Sequence, residues 1–115
     1  ALDFAVLLGF DLTEEFPVLW LRLRQAINNG AKVLFIGHYA PEIAPYLTEV
    51  VTHQPGKELE SIEKILPQFI DRFDVERQKG AIFIGNQYLR STSRSTLLST
   101  LMKLKRGQIT INVME

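Results

Sequence analysis

Residues 9–38, GFDLTEEFPVLWLRLRQAINNGAKVLFIGH, read as a strand end, a turn, an amphipathic helix, a tight turn and a second strand. Thr13 has the chemistry of a helix cap, and Glu14 and Glu15 suit the positive end of the helix dipole. Pro17 is tolerated there because first-turn amides have no intrahelical partner. Leu19, Leu23, Ala26 and Ile27 then recur at helical spacing, with Arg22, Gln25 and Asn29 on the other side. Gly30 supplies the stop. Lys32–Gly37 (KVLFIG) is a short apolar run of the kind a strand shows when both faces are covered. Strand, helix and strand in this order form half of a doubly wound unit.

The rest of the chain repeats the alternation. Phe4–Leu8 is a second covered-strand run, closed by Gly9. After His38, Pro41 and Pro45 allow only a short helical turn, placed around Ala40–Leu47. Glu49–Thr52 is a short strand, and Gln54-Pro55-Gly56 a turn. Lys57–Phe73 is the longest helix, with Leu59, Ile62, Leu66, Phe69, Ile70 and Phe73 as its stripe. Pro67 within it is expected to kink or split it. Val75–Lys79 reads as a charged connector and Ala81–Gly85 as a strand. Ser91 or Ser93 opens the last helix, lined by Leu97, Leu98, Leu101 and Leu104. Lys103, Lys105 and Arg106 suit its negative end, and Gly107 stops it. Gln108–Val113 is the final strand. The pattern predicts one α/β domain over residues 1–115. Its architecture is three-layer, doubly wound and Rossmann-like, with a mainly parallel sheet of about five strands, the first central, and helices on both faces.

Bulk properties narrow the function. Thirteen basic residues balance 13 acidic ones, so no global charge draws the chain to nucleic acid or an anionic membrane. Cysteine is absent, which excludes disulfides, thiolate metal sites and iron–sulfur ligation by this chain. No apolar run approaches the roughly 20 residues of a membrane-spanning helix. The sequence enters its first strand within a few residues of Ala1, an opening expected of a segment cut from a longer chain.

Ligands of doubly wound folds lie at the carboxyl ends of the strands, so three places qualify. At Gly9-Phe10-Asp11-Leu12-Thr13, Gly9 and free helix amides suit a phosphate. Asp11 repels one, and Asp11 and Thr13 are more simply turn and cap residues. At Gly37-His38-Tyr39, no acid stands where a ribose would be held. His38 is a candidate base or metal ligand, but His53 is the only other histidine and the sequence sets no carboxylate cluster beside either. A polar loop residue is the plainer reading. At Gly85-Asn86-Gln87-Tyr88-Leu89-Arg90, Asn86, Gln87 and Arg90 suit a base or phosphate, or simply neighbouring backbone. The run Ser91–Thr96 reads as capping residues. Trp20 beside Leu19 and Leu23 reads as core. No catalytic triad, phosphate-cradling loop or metal-ligand set stands out.

The segment AVLLGFDLTEEFPVLWLRLRQAINNGAKVLFIG resembles the molybdopterin oxidoreductase superfamily. Those domains carry an apolar strand, Gly-x-Asn-Pro, a Glu, Pro-Val/Leu, an Arg-rich helix and Gly-Ala-Lys-Val before a strand. The resemblance is nearest to the large iron–sulfur subunit of respiratory NADH–quinone oxidoreductase, whose second half keeps this fold without a molybdenum cofactor. The segment AIFIGNQYLRSTSRSTLLSTLMKL is similar to the next strand and helix of that large subunit. Residues 39–79 match in layout alone. Asp11 stands where the family has Asn, Leu12 where it has Pro, and Gly37-His38 where molybdenum enzymes carry an acid followed by Pro or Arg. These departures fall where a pterin–guanine nucleotide binds.

The resemblance implies a non-catalytic structural domain, with no catalytic residue and no metal in this chain. Iron–sulfur clusters would be held elsewhere in the parent. Partners would be other domains of that parent and neighbouring respiratory-complex subunits, with no nucleic acid and no direct membrane insertion. The implied location is peripheral, on the cytoplasmic side of the bacterial inner membrane. The alternative is the molybdopterin guanine dinucleotide domain of an active molybdenum oxidoreductase. It would bind through Gly9, Asp11, Thr13, Gly37, His38, Gly85, Asn86 and Gln87. The central domain of a thiamine-diphosphate enzyme has a similar architecture.

Overall fold

A computed structural model describes residues 2–9, 16–72, 79–104 and 108–114. The strands are β1 (Phe4–Leu8), β2 (Lys32–Gly37), β3 (Glu49–Thr52), β4 (Lys79–Ile84) and β5 (Gln108–Val113). The helices are α1 (Pro17–Asn28), α2 (Glu58–Arg72), α3 (Asn86–Ser91) and α4 (Arg94–Leu104), with a 3-10 turn at Ala44–Tyr46. All strand pairs are parallel, in the order β3-β2-β1-β4-β5. The central first strand is the arrangement expected from the sequence. The chain winds outward from β1 through β2 to β3, then returns to the other side of β1 for β4 and β5. The strand order therefore reverses between β1 and β4.

Alternation along the strands assigns the two faces. Phe4, Val6, Leu8, Leu34, Ile36, Ile82 and Ile84 face α2 and α4, where Ile62, Leu66, Phe69, Leu97 and Leu101 are buried against them. Ala5, Leu7, Val33, Phe35 and Ala81 face α1 through Trp20 and Leu23. Trp20 is core, and its ring packs on Tyr46 at 5.8 Å between centroids. Gly80 pairs with Phe4 across the sheet, and the Phe4 ring lies over it where a Cβ would stand.

Two expectations are corrected and two are refined. Pro67 does not split the long helix, which runs continuously through it from Glu58 to Arg72. Proline removes one ladder bond, but Leu66, Phe69 and Ile70 beside it sit in one core, and their burial holds the helix together. The last helical segment is two helices, α3 and α4. Thr92 adopts extended backbone after α3, and the Ser93 hydroxyl then accepts the amide of Thr96 at 3.2 Å to start α4. β4 begins at Lys79, a residue the sequence assigns to the connector, because its amide bonds the Asp3 carboxylate at 2.8 Å and its carbonyl accepts from the Asp3 amide. The short helical turn expected around Ala40–Leu47 is present as a single 3-10 turn at Ala44–Tyr46, with Pro45 limiting its length. Thr13, Glu14 and Glu15 lie outside the described residues; α1 opens at Pro17 with Phe16 at its cap position. Phe73, the connector residues 75–78, Lys105, Arg106 and Gly107 also lie outside them.

Candidate functional site at the strand ends

Parallel register delivers the site. Gly37 and Thr52 are partners at the ends of β2 and β3, so the next residues, His38 and His53, emerge side by side. The His53 amide bonds the Gly37 carbonyl at 3.0 Å, which fixes the two backbones together. The imidazole rings meet edge to face, 5.3 Å between centroids. Gln54, Pro55 and Gly56 turn the chain, Gly56 with a φ of 94°, and return it as α2. The first residue of α2 is Glu58, whose carboxylate is brought beneath the histidines. Its Oε1 lies 3.5 Å from His38 Nε2.

Tyr88 approaches on the same face of the sheet as α2. It sits on α3 just beyond the end of β4, fully buried, with its hydroxyl 2.6 Å from His53 Nε2. The other nitrogen of that ring, Nδ1, lies 2.8 Å from the Gln54 carbonyl. A carbonyl only accepts, so Nδ1 carries the proton. Nε2 of the neutral ring is then an acceptor, and the Tyr88 hydroxyl donates to it. The His38 ring stacks on Tyr88 at 6.3 Å, and its backbone amide donates to the Gln87 side-chain oxygen at 3.1 Å.

The electrostatics centre on Glu58, which is 1% exposed. No hydrogen-bond partner reaches either carboxylate oxygen, or Nε2 of His38, in acceptable geometry. Burial alone raises the pKa of Glu58; the nearby amide of Glu58, Ser91 hydroxyl, Gly56 backbone and His38 outweigh it and leave the group below its ordinary value. Burial, followed by the charge of Glu58, pushes the Tyr88 phenol far above its usual range.

His38, Asn86 and Gln87 line one open cleft of about 300 Å³, together with Tyr39, Arg90 and Ser91. Gly9, Gly37 and Gly85 lie buried at the strand ends below them. Asp11 and Thr13 fall outside the described residues. The larger groove, about 420 Å³, runs along α1 between Leu19, Leu23 and Phe83, and contains no histidine or carboxylate.

Two of the glycines to which the alternative reading assigns molybdopterin guanine dinucleotide are closely packed. Gly9, with φ of 74°, has the backbone freedom a phosphate site needs. Yet the Tyr88 ring occupies the space where a Cβ of Gly9 would point, and the Gly9 carbonyl accepts the Gln87 amide at 3.0 Å. Gly37 is likewise pressed against the Phe35 ring. Tyr88 and Phe35 thus crowd the backbone at Gly9 and Gly37.

Sequence reasoning does not reach Glu58, Tyr88 or the pairing of the two histidines. The available signal is positional: His38 and His53 each follow directly on a strand end, and those two strands neighbour one another in a doubly wound sheet. No family model matches the chain, and no curated protein matches it. Among the described residues, no helix is long and apolar enough to cross a membrane.

Proposed function

We propose that the chain is a non-catalytic packing module of the large iron–sulfur subunit of NADH–quinone oxidoreductase, the complex that transfers electrons from NADH to quinone. The resemblance of residues 4–37 to that subunit supports the reading. The observation that carries the structural role is the crevice between β1 and β4. A nucleotide-binding relative needs that space open above Gly9, and here Tyr88 fills it. Packing of Tyr88 onto Gly9 supports a structural role rather than a cofactor-holding one. A chain without cysteine holds no iron–sulfur cluster, so electrons would pass through other parts of the parent. The module would support those parts and neighbouring subunits, peripheral to the cytoplasmic side of the bacterial inner membrane.

The test is metal and pterin analysis of the purified polypeptide that contains this sequence. Iron without molybdenum or pterin is the expected result. Molybdenum with a guanine-dinucleotide pterin overturns the reading and makes the strand ends a cofactor site.

A further inference from the structure

We infer that His38, His53 and Glu58 form a binding site for a divalent transition metal of the zinc class. One potential ligand atom from each lies within 4.8 Å of the other two. Tetrahedral zinc with nitrogen and oxygen ligands at about 2.0–2.2 Å sets its ligands roughly 3.4 Å apart. The His38–Glu58 pair, at 3.5 Å, already has that spacing. His53, half-buried on a short loop, closes the remainder by a small ring movement.

Spacing alone does not distinguish a metal site from a hydrogen-bonded cluster. The second observation is the state of the donors. Both oxygens of Glu58 and Nε2 of His38 are buried and lack hydrogen-bond partners. Among the described residues, no lysine or arginine pairs with Glu58. A carboxylate this buried carries its charge at a cost, and the groups nearest it are amides, a hydroxyl and an imidazole, so a cation shared with the two imidazoles would balance it. The outer contacts also have the form of a metal site. His53 Nδ1 is tied to a backbone carbonyl, which fixes the tautomer and leaves Nε2 basic. The Tyr88 hydroxyl stands at that nitrogen and would be released as a hydrogen-bond donor or further ligand when the ring turns to the ion. His38 borders the open cleft, which gives the ion a route in.

Two histidines and one carboxylate of borderline hardness favour zinc, cobalt, nickel or copper over magnesium and calcium, which take oxygen ligands. The ion would clip the ends of β2 and β3 to the first turn of α2. The site needs no parent complex and does not depend on the packing role.

The experiment uses the 115-residue chain, stripped with chelator and titrated with zinc by calorimetry and with cobalt by visible absorption. The chain has no cysteine and two histidines, so a saturable site has few other ligands to draw on. The expected result is one equivalent of zinc at micromolar affinity or better, cobalt bands of four- or five-coordinate intensity, and a melting temperature about 10 °C higher at a hundredfold excess over Kd. Glu58→Gln keeps the volume of the buried side chain and His53→Gln alters a half-buried loop residue. Each, verified as folded by circular dichroism, should weaken zinc at least about a hundredfold, while exposed Glu60→Gln leaves it unchanged. Absence of saturable binding overturns the assignment and leaves His38 and Glu58 as an ion pair. Binding that survives both ligand substitutions also overturns it.

Discussion

The Tyr88 hydroxyl donates to His53 while the ring fills the space above Gly9, so the two parts of one side chain do separate things. Tyr88→Phe keeps the ring and deletes the donor. At neutral pH it should cost about 1 kcal/mol, the usual worth of one hydrogen bond. The effect reverses in alkali. Free tyrosine ionises near pH 10, whereas in the folded chain burial and then Glu58 hold the phenol neutral well beyond that. Above pH 10 the unfolded chain has therefore lost a proton the folded chain keeps. Stability from this group is complete below pH 10 and falls as pH rises, by up to about 1.4 kcal/mol per unit. Urea unfolding of both proteins across about pH 8–12 should show the curves converging and then crossing. Parallel curves would show that the hydroxyl ionises freely in the folded state.

Gly80 gives a second test of packing at one position. The Phe4 ring covers it from the neighbouring strand, so Gly80→Ala places a methyl inside that ring. Overpacking of this kind costs about 1–3 kcal/mol. Adding Phe4→Leu should return part of the loss, because the two positions share one contact and their effects do not add. Chemical denaturation of the two single variants and the double variant measures the coupling, and strict additivity would contradict it. Neither this contact nor the carboxylate under the histidines is legible in the sequence. Glu58 reads as one more acid in a helix's first turn, and 20 residues separate it from His38. Only the wound topology brings α2 back beneath the end of β2.

At the scale of elements, local chemistry is legible where one element depends on its own residues. Apolar runs give the strands, and Pro17 and Gly30 bracket α1. It is illegible where tertiary contacts overrule propensity, as at Pro67. Pro67→Ala restores an amide to a helix whose flanks are already buried, and proline in a helix interior costs about 3 kcal/mol. Part of the gain is cancelled by the greater freedom the variant gives the unfolded chain. The net stabilisation should be about 1–2 kcal/mol, read as a higher urea midpoint with an unchanged slope. Ser93 carries the opposite lesson. By sequence it is one hydroxyl among several in Ser91–Thr96, yet its Oγ is the one that accepts the Thr96 amide and separates α4 from α3. Ser93→Ala should cost about 1 kcal/mol and Ser93→Asp almost nothing, because aspartate caps as well and suits the dipole.

The molecule as a whole is a sheet whose protection falls off from its centre. β1 is hydrogen-bonded on both edges, to β2 and β4, and every one of its side chains is buried. β3 at one margin spans four residues, none of them fully buried. β5 at the other margin buries Ile109 alone. Local opening needs less free energy where fewer apolar contacts must part, and each marginal strand is paired on one edge only. Native-state amide exchange should therefore find β1 slowest, β2 and β4 close to it, and β3 and β5 several kcal/mol less protected. Zinc provides a directional check on this gradient. An ion bound at His38, His53 and Glu58 ties β3 to β2 and to α2, but touches nothing on β5. Saturation should slow exchange in β3 and in the first turn of α2, leaving β5 where it was. Equal slowing of both margins would mean that the ion stabilises the molecule globally, and no change at β3 would mean that the strand ends are not its binding place.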